Sequence, residues 1–481
     1  MLGPRRATIL NESRPMRRPP RRSRRRVLVA AALAVTLAVT AHAQDPTAGG
    51  GARQLTLDNG LQVIVVENHA VPIATVMIAF RGGAMTQGAG DQGIPHLFEH
   101  MLFKGYRGAL DETFGQEAGD LLAGFNGATS GEMVSYYLTL PATKAIESVS
   151  LIADLVRQPR FTARDLKTER LVVLGELQRN QSVPWFRLRR DLEMLLWGPS
   201  FMRKNTIGET GAILAVTPKY LEQIFQRYYV PNNAALIVTG DIATDEVFAA
   251  ARDRFGGWKR QPDPFVTWPV PPMTRLDSTG GVVVTADVQD VTVMVQWPGP
   301  SVRAHGDATY AADVLADLVN DPDSPFQQRL VESGAFQSAS LQYETLDHVG
   351  PITFVGVTTW ERLAGALSAL GGEFDVMRDS SYIDAATIAV AKKRRAVNTA
   401  LQREAGAGLA GLVANFWSTG GLDYYDTYLD RMTSRTPADV RRFVGTWIAN
   451  KPYVVGLLVN PRYGPTAQAL LKQFNDLMEG K

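Results

Sequence analysis

The hexapeptide TVMIAF at 75–80 returns as TVMVQW at 292–297, 217 residues later. A second apolar block, NAALIVTGD at 233–241, has a counterpart in YVVGLLVNP at 453–461, at an offset of 220. Two matches at nearly one spacing point to an internal duplication, which restricts the fold more than any local signal does. Each copy opens with strands, passes through helices and closes on an apolar strand. That order predicts an α+β chain of two similar, duplicated domains, each a mixed or antiparallel β-sheet packed with helices. The boundary falls in KRQPDPFVTWPVPPMTRLDSTG, 259–280, whose five prolines suit an extended linker and exclude a helix. The expected division is a leader at 1–43, a first domain at 44–258, the linker at 259–280 and a second domain at 281–481.

Residues 1–43 read as an address. They hold ten arginines and a single acid, Glu12, followed by the apolar run VLVAAALAVTLAVT and then Ala41-His42-Ala43. This is the layout of a signal peptide, with Gln44 as the mature start. The run falls short of the roughly 20 residues a membrane span needs, so no anchor is expected after cleavage. Arg24-Arg25 within SRRRVL also fits twin-arginine export, so that route and general secretion both stay open. A mitochondrial presequence would be amphipathic and Ser-rich, and this block is neither. The expected destination is the periplasm of a Gram-negative bacterium, or the exterior. Taking ten arginines and Glu12 away from 50 basic and 48 acidic residues leaves a net charge of −7. The basic character therefore belongs to the leader, and no basic patch argues for nucleic acid. The chain has no cysteine, which excludes disulfides, lipoprotein acylation and thiolate metal ligands. Any metal must sit on histidine and carboxylate.

Such a set is present in GIPHLFEHMLFKG, 93–105. On a helix, His96 and His100 are i and i+4 and share one face, with Glu99 at its border. Two imidazoles on successive turns can grip Zn²⁺ at about 2.0–2.1 Å, and Glu99 can hold a water there and take its proton. The order His-x-x-Glu-His inverts the commoner His-Glu-x-x-His zinc-protease motif. The competing reading is a core helix with a few buried polar groups. Three ionisable groups in one apolar helix would be costly to bury without partners. FTARDLKTERLVVLGELQRN, 161–180, reads as a second helix, with Thr162 and Asp165 as a capping box. Leu166, Glu169, Val173 and Glu176 form one stripe on it, so two carboxylates interrupt an inward-looking apolar face. A buried carboxylate needs a cation. Glu176 is the natural third ligand, leaving Glu169 to orient the shell.

HLFEH, followed 76 residues after His100 by the Glu of ERLVVLGE, resembles the pitrilysin, insulin-degrading enzyme and mitochondrial processing peptidase family of inverted zincins. The resemblance continues through GFNGATSGEMVSYY (124–137), IGE (207–209) and YYVPNNAALIVTGDI (228–242), and is more diffuse in the second half. The roughly 450-residue, two-domain branch is the nearest in layout. Carried over residue by residue, the resemblance implies that His96, His100 and Glu176 bind one Zn²⁺ per chain. Glu99 would be the general base, with Glu169 supporting catalysis. The implied activity is peptide-bond hydrolysis inside a chamber closed by two such chains, as a homodimer or heterodimer. NGATSGEMVSYYLTLP alternates enough to be a strand, and the family implies a free edge there onto which substrate adds, with Asn126 and Thr129 as substrate contacts. The family commonly has Ala where this chain has Gly127. Complete members also carry an Arg and a Tyr seven apart in the second half. Here Arg329 matches, but position 336 is Phe. Three readings follow: another tyrosine such as Tyr343 serves, the chain is a weak protease, or a similar partner chain supplies the Arg/Tyr pair. The competing class is a non-catalytic structural or binding subunit, and the five intact site positions favour the enzyme.

Other signals carry less. QLTLDNGLQVIVVEN is a hairpin turning at Asn59-Gly60, and 73–80 is the next strand. RGGAMTQGAGDQG lacks P-loop spacing and reads as a connector. His69, His305 and His348 lie outside any ligand spacing and read as turn or surface residues. DVQD (287–290) and NDPDS (320–324) lack the EF-hand order and read as loops.

Overall fold

The computed structural model describes residues 51–106, 113–200, 205–403 and 406–478. The leader and its cleavage site lie outside the described residues. The first half opens with β1 (Arg53–Thr56), β2 (Gln62–Glu67), β3 (Ile73–Arg81), α1 (Ile94–Leu102) and α2 (Thr113–Asp120). The hairpin β4 (Gly124–Thr129) and β5 (Met133–Pro141) follows, then α3 (Ala145–Arg157), α4 (Ala163–Ser182) and α5 (Pro184–Trp197). It closes with α6 (Thr210–Ala215), α7 (Pro218–Tyr228), β6 (Ala234–Gly240) and α8 (Thr244–Phe255). After one helical turn, α9 (Pro264–Thr267), the second half begins with β7 (Gly280–Thr285), β8 (Val291–Pro298), α10 (Val302–Val319) and α11 (Pro325–Gln327). Next come β9 (Ser338–Tyr343), β10 (Pro351–Thr358), α12 (Leu363–Val376), α13 (Ala385–Arg403) and α14 (Gly406–Gly420). The half ends with α15 (Leu422–Thr433), α16 (Pro437–Trp447), β11 (Val454–Val459) and α17 (Gly464–Met478).

The two sheets repeat one topology. Their strand orders are β1-β2-β6-β3-β5-β4 and β7-β11-β8-β10-β9, so five strands match place for place and β1 has no counterpart. In each sheet one parallel pairing, β2 with β6 and β7 with β11, joins otherwise antiparallel neighbours. The fold is therefore α+β with two mixed sheets, as the duplicated apolar blocks require.

Each sheet is covered on its second face by a helix from the other half. Leu188, Leu192, Leu196 and Trp197 of α5 pack with Val284, Met294, Val454 and Leu458 of the second sheet. Leu409, Ala410, Val413 and Trp417 of α14 pack with Ile64, Met77 and Ile237 of the first. Every residue of β6 and β11 is consequently buried. This is why NAALIVTG and VVGLLV run apolar without alternating, since strands covered on both faces have no wet side. A third tie is Glu132, which is buried in the turn between β4 and β5. Its carboxylate accepts from the Asp347 and His348 N–H groups at 2.7 and 2.9 Å and meets His348 Nδ1 at 3.0 Å.

Three expectations need correction. NGATSGEMVSYYLTLP is two strands, because Ser130-Gly131-Glu132 turns the chain and the Ser130 hydroxyl pairs with Met133. The proline-rich segment does contain a helical turn. Pro264 sits in its first positions, where no N–H is needed, and Asp263 caps it through the Phe265 N–H. His348 is a partly buried link between the halves and not a surface residue.

Candidate metal centre

Helix α1 starts at Gly93, whose φ of 87° is left-handed. A Cβ at Gly93 would lie 2.6 Å from Gly208 Cα, so the IGE segment packs directly against the helix start. Ile94, Leu97, Phe98, Met101 and Leu102 of α1 are buried in the core of the first sheet. With that face committed, His96, Glu99 and His100 are left for the opposite one. Helix α4 supplies the facing wall. Thr162 caps it by accepting from the Asp165 N–H, while the Asp165 carboxylate takes the Thr162 hydroxyl in place of the backbone that a full capping box would use. Leu166, Val173 and Leu177 are buried, and Glu169 is buried between them.

His96 Nε2 and His100 Nε2 each stand 3.6 Å from Glu176 Oε2. One ligand atom from each of the three residues falls within 4.8 Å of the others. Three atoms bound at about 2.0–2.1 Å in a tetrahedral shell would sit roughly 3.3 Å apart. The gap thus fits a divalent ion with little closure. Two neutral imidazoles, one carboxylate and an open fourth corner are also the donor set of catalytic zinc sites. Burial pushes His96 down to about 4, assisted by the neighbouring His100, so it is neutral and ready to ligate near neutral pH. For His100 burial acts in the same direction, but the bond to Glu169 and the charges of Glu176 and Glu99 outweigh it and hold it raised.

Glu169 stands behind His100. Its Oε2 lies 3.2 Å from His100 Nδ1, and its Oε1 takes Lys104 Nζ at 2.6 Å. Burial pushes its carboxyl up, yet the His100 and Lys104 bonds win and keep it low. An ionised Glu169 that accepts from Nδ1 turns Nε2 of His100 toward the gap. Glu169 thus stands behind His100 and is not among the residues that line the cleft. His96 Nδ1 has no such partner among the described residues.

Glu99 is buried, and burial raises its carboxyl. Thr129 Oγ1 donates to its Oε2 at 2.6 Å. The cleft in front of the histidines is lined by Gly127 and Thr129 of β4 and by Glu176, Arg179, Arg189 and Glu193. Among the described residues β4 is the outermost strand and pairs only with β5, so no described strand lies along its far edge. Asn126 is exposed on that strand, as a substrate contact requires. Thr129 lies on the alternate face, where it lines the cleft and bonds Glu99.

The second-half residues do not join this cleft. Arg329 donates to the buried Glu373 at 2.7 Å and does not line the cleft. Phe336 is buried against Phe354, and Gly356 leaves it room, since a Cβ there would lie 2.5 Å from the Phe336 ring. A tyrosine hydroxyl there would need a buried partner. Tyr343 donates to the Pro300 carbonyl at 3.1 Å and lines an adjoining cavity. Sequence reasoning missed Lys104, which lies one turn beyond His100 and signals a cation for Glu169. It also missed Arg189 and Glu193, paired at 2.7 Å on the cleft wall.

Residues 62–198 match the insulinase (peptidase family M16) domain and residues 215–394 match the peptidase M16 inactive domain. The chain belongs to peptidase family M16. It is 30% identical over 215 residues to an uncharacterized zinc protease of Mycobacterium tuberculosis, a match covering 44% of this chain and 48% of that protein. The chain thus spans about half the length of that relative. Its fold is similar to a protease from Helicobacter pylori, with a TM-score of 0.76 and 22% identity over 85% of this chain and 99% of that one. It is also similar to the first half of the periplasmic protease PqqL from Escherichia coli, with a TM-score of 0.72 and 17% identity over 89% and 97% of the two chains. No helix among the described residues is long and apolar enough to cross a membrane.

Proposed function

We propose that this chain is an exported zinc metalloendopeptidase that hydrolyses peptides or unfolded segments. The carrying observation is the gap bounded by His96 Nε2, His100 Nε2 and Glu176 Oε2, with Glu99 beside it. When bound there, a zinc ion supplies a Lewis acid that acidifies water and polarises the scissile carbonyl. The protein does the rest. Glu99, raised by burial, takes the proton from the attacking water and delivers it to the departing amide nitrogen. Glu169 and Lys104 hold His100 in its ligating orientation. The open edge of β4 receives the peptide as an added strand, an arrangement that reads backbone and tolerates many sequences.

Arg329 is bound to Glu373 and Phe336 lies in the core, so positions 329 and 336 do not supply an Arg/Tyr pair to the cleft. A similar partner chain carrying the pair therefore completes the chamber, and this chain is the catalytic subunit. The arginine-rich leader and the likeness to a periplasmic protease support action in the periplasm. The test is Glu99→Gln. Turnover of an unfolded peptide should fall by about 10²-fold or more, the usual yield of a general base, while one equivalent of zinc is retained. His96→Ala should lose the zinc. Full turnover by a zinc-loaded Glu99→Gln preparation refutes the assignment.

A further inference from the structure

Resting on the reading of Glu99 as the base, we infer that Thr129 is a positioning residue that fixes the Glu99 carboxylate, with Gly127 providing the space. Strand β4 brings both to α1. The Thr129 hydroxyl donates to Glu99 Oε2 at 2.6 Å, the length of a strong bond to a charged acceptor. Two residues earlier on the same face, a Cβ at Gly127 would stand 2.6 Å from Glu99 Oε1 and 2.9 Å from its Cγ. The carboxylate is therefore held by one oxygen and packed along the other against bare backbone. A free glutamate side chain has several rotamers, and a base that wanders loses the alignment on which its rate depends. Asn126 and Ala128, on the alternate face of the same strand, are exposed. One strand thus presents its edge to the peptide and its inner face to the base, so docking and proton transfer share a rigid support.

Two roles for Thr129 make opposite kinetic predictions. A positioning residue acts on kcat; a substrate contact acts on KM. In the zinc-loaded full chain, Thr129→Val should lower kcat roughly 10- to 100-fold, with KM within about twofold and zinc content unchanged. Thr129→Ser restores the hydroxyl and should recover most of the loss. In a Glu99→Asp background, whose shortened carboxylate has already left the hydroxyl, Thr129→Val should cost nothing further. A raised KM with unchanged kcat overturns the role, as do losses that simply add in the double variant. Should valine disturb folding, judged by circular dichroism, Thr129→Ala carries the same comparison. Failure of the base reading has its own signature: Glu99→Gln then keeps turnover while Thr129→Val loses it, and the positioning role falls with it.

Discussion

Helices α1 and α4 in the first half and α10 and α13 in the second hold matching places. Each pair consists of the helix after the central antiparallel strand and the helix that follows the hairpin and its covering helix. Each pair packs together, and each carries acidic residues at the contact. In the second pair the protein supplies the cations. Arg395 holds Asp317 through two bonds at 2.7 and 2.8 Å, Arg394 meets Asp321 at 2.5 Å, and Tyr428 donates to Asp313 at 2.8 Å. In the first pair the cations stand outside. Lys104 takes Glu169, Arg179 lies 3.6 Å from the outer oxygen of Glu176, and the inner oxygen faces two imidazoles across a gap. Buried charge demands compensation. One copy of the duplicated scaffold meets that demand with arginine, and in the other a gap remains between two imidazoles and a carboxylate.

The comparison can be broken at both ends. The largest effect is expected from Glu176→Ala. It removes a donor from the gap, and zinc affinity measured by competition with a chelator should fall more than about 100-fold, beyond what a supporting group costs. Unchanged affinity would show that the gap is not the ion's seat. Next comes Asp313, which burial pushes up to about 6 despite the opposing Arg395 charge and Tyr428 bond. The folded value lies above the ordinary one, so this contribution to stability is complete below about pH 4 and is lost as pH rises through about 6. The loss should approach 2–3 kcal/mol, at roughly 1.4 kcal/mol per pKa unit. Asp313→Asn should remove that part of the pH dependence in urea unfolding of zinc-free protein. Parallel profiles for the two proteins between pH 4.5 and 7 would contradict it. The smallest effect belongs to Glu169→Gln. This variant keeps shape and loses charge, and zinc affinity should drop about 10-fold, the lower end for a group that orients a ligand. No change would mean that Lys104 and Glu169 are a structural pair only.

Much of the centre was legible because helical spacing is local. His96 and His100 at i and i+4, and Glu169 and Glu176 within the Leu166–Val173 stripe, follow from periodicity alone. The duplication was legible because strands covered on both faces leave unbroken apolar runs. What escaped was tertiary. Nothing in the spacing of residues 99 and 129 tells that a strand will set a hydroxyl against a carboxylate 30 positions away. The strand itself was read too long, since Ser130-Gly131-Glu132 is a turn whose glutamate is spoken for by another half of the molecule. Arg329 is bound to Glu373 and Phe336 lies against Phe354, contacts that their sequence spacing does not reveal.

Helix α5 belongs to the first half by connectivity and to the second by packing. Its apolar side is seated on the second sheet, while Arg189 and Glu193 line the cleft before His96. The seating of α5 on the second sheet therefore sets how far Arg189 and Glu193 stand from the histidines across the cleft.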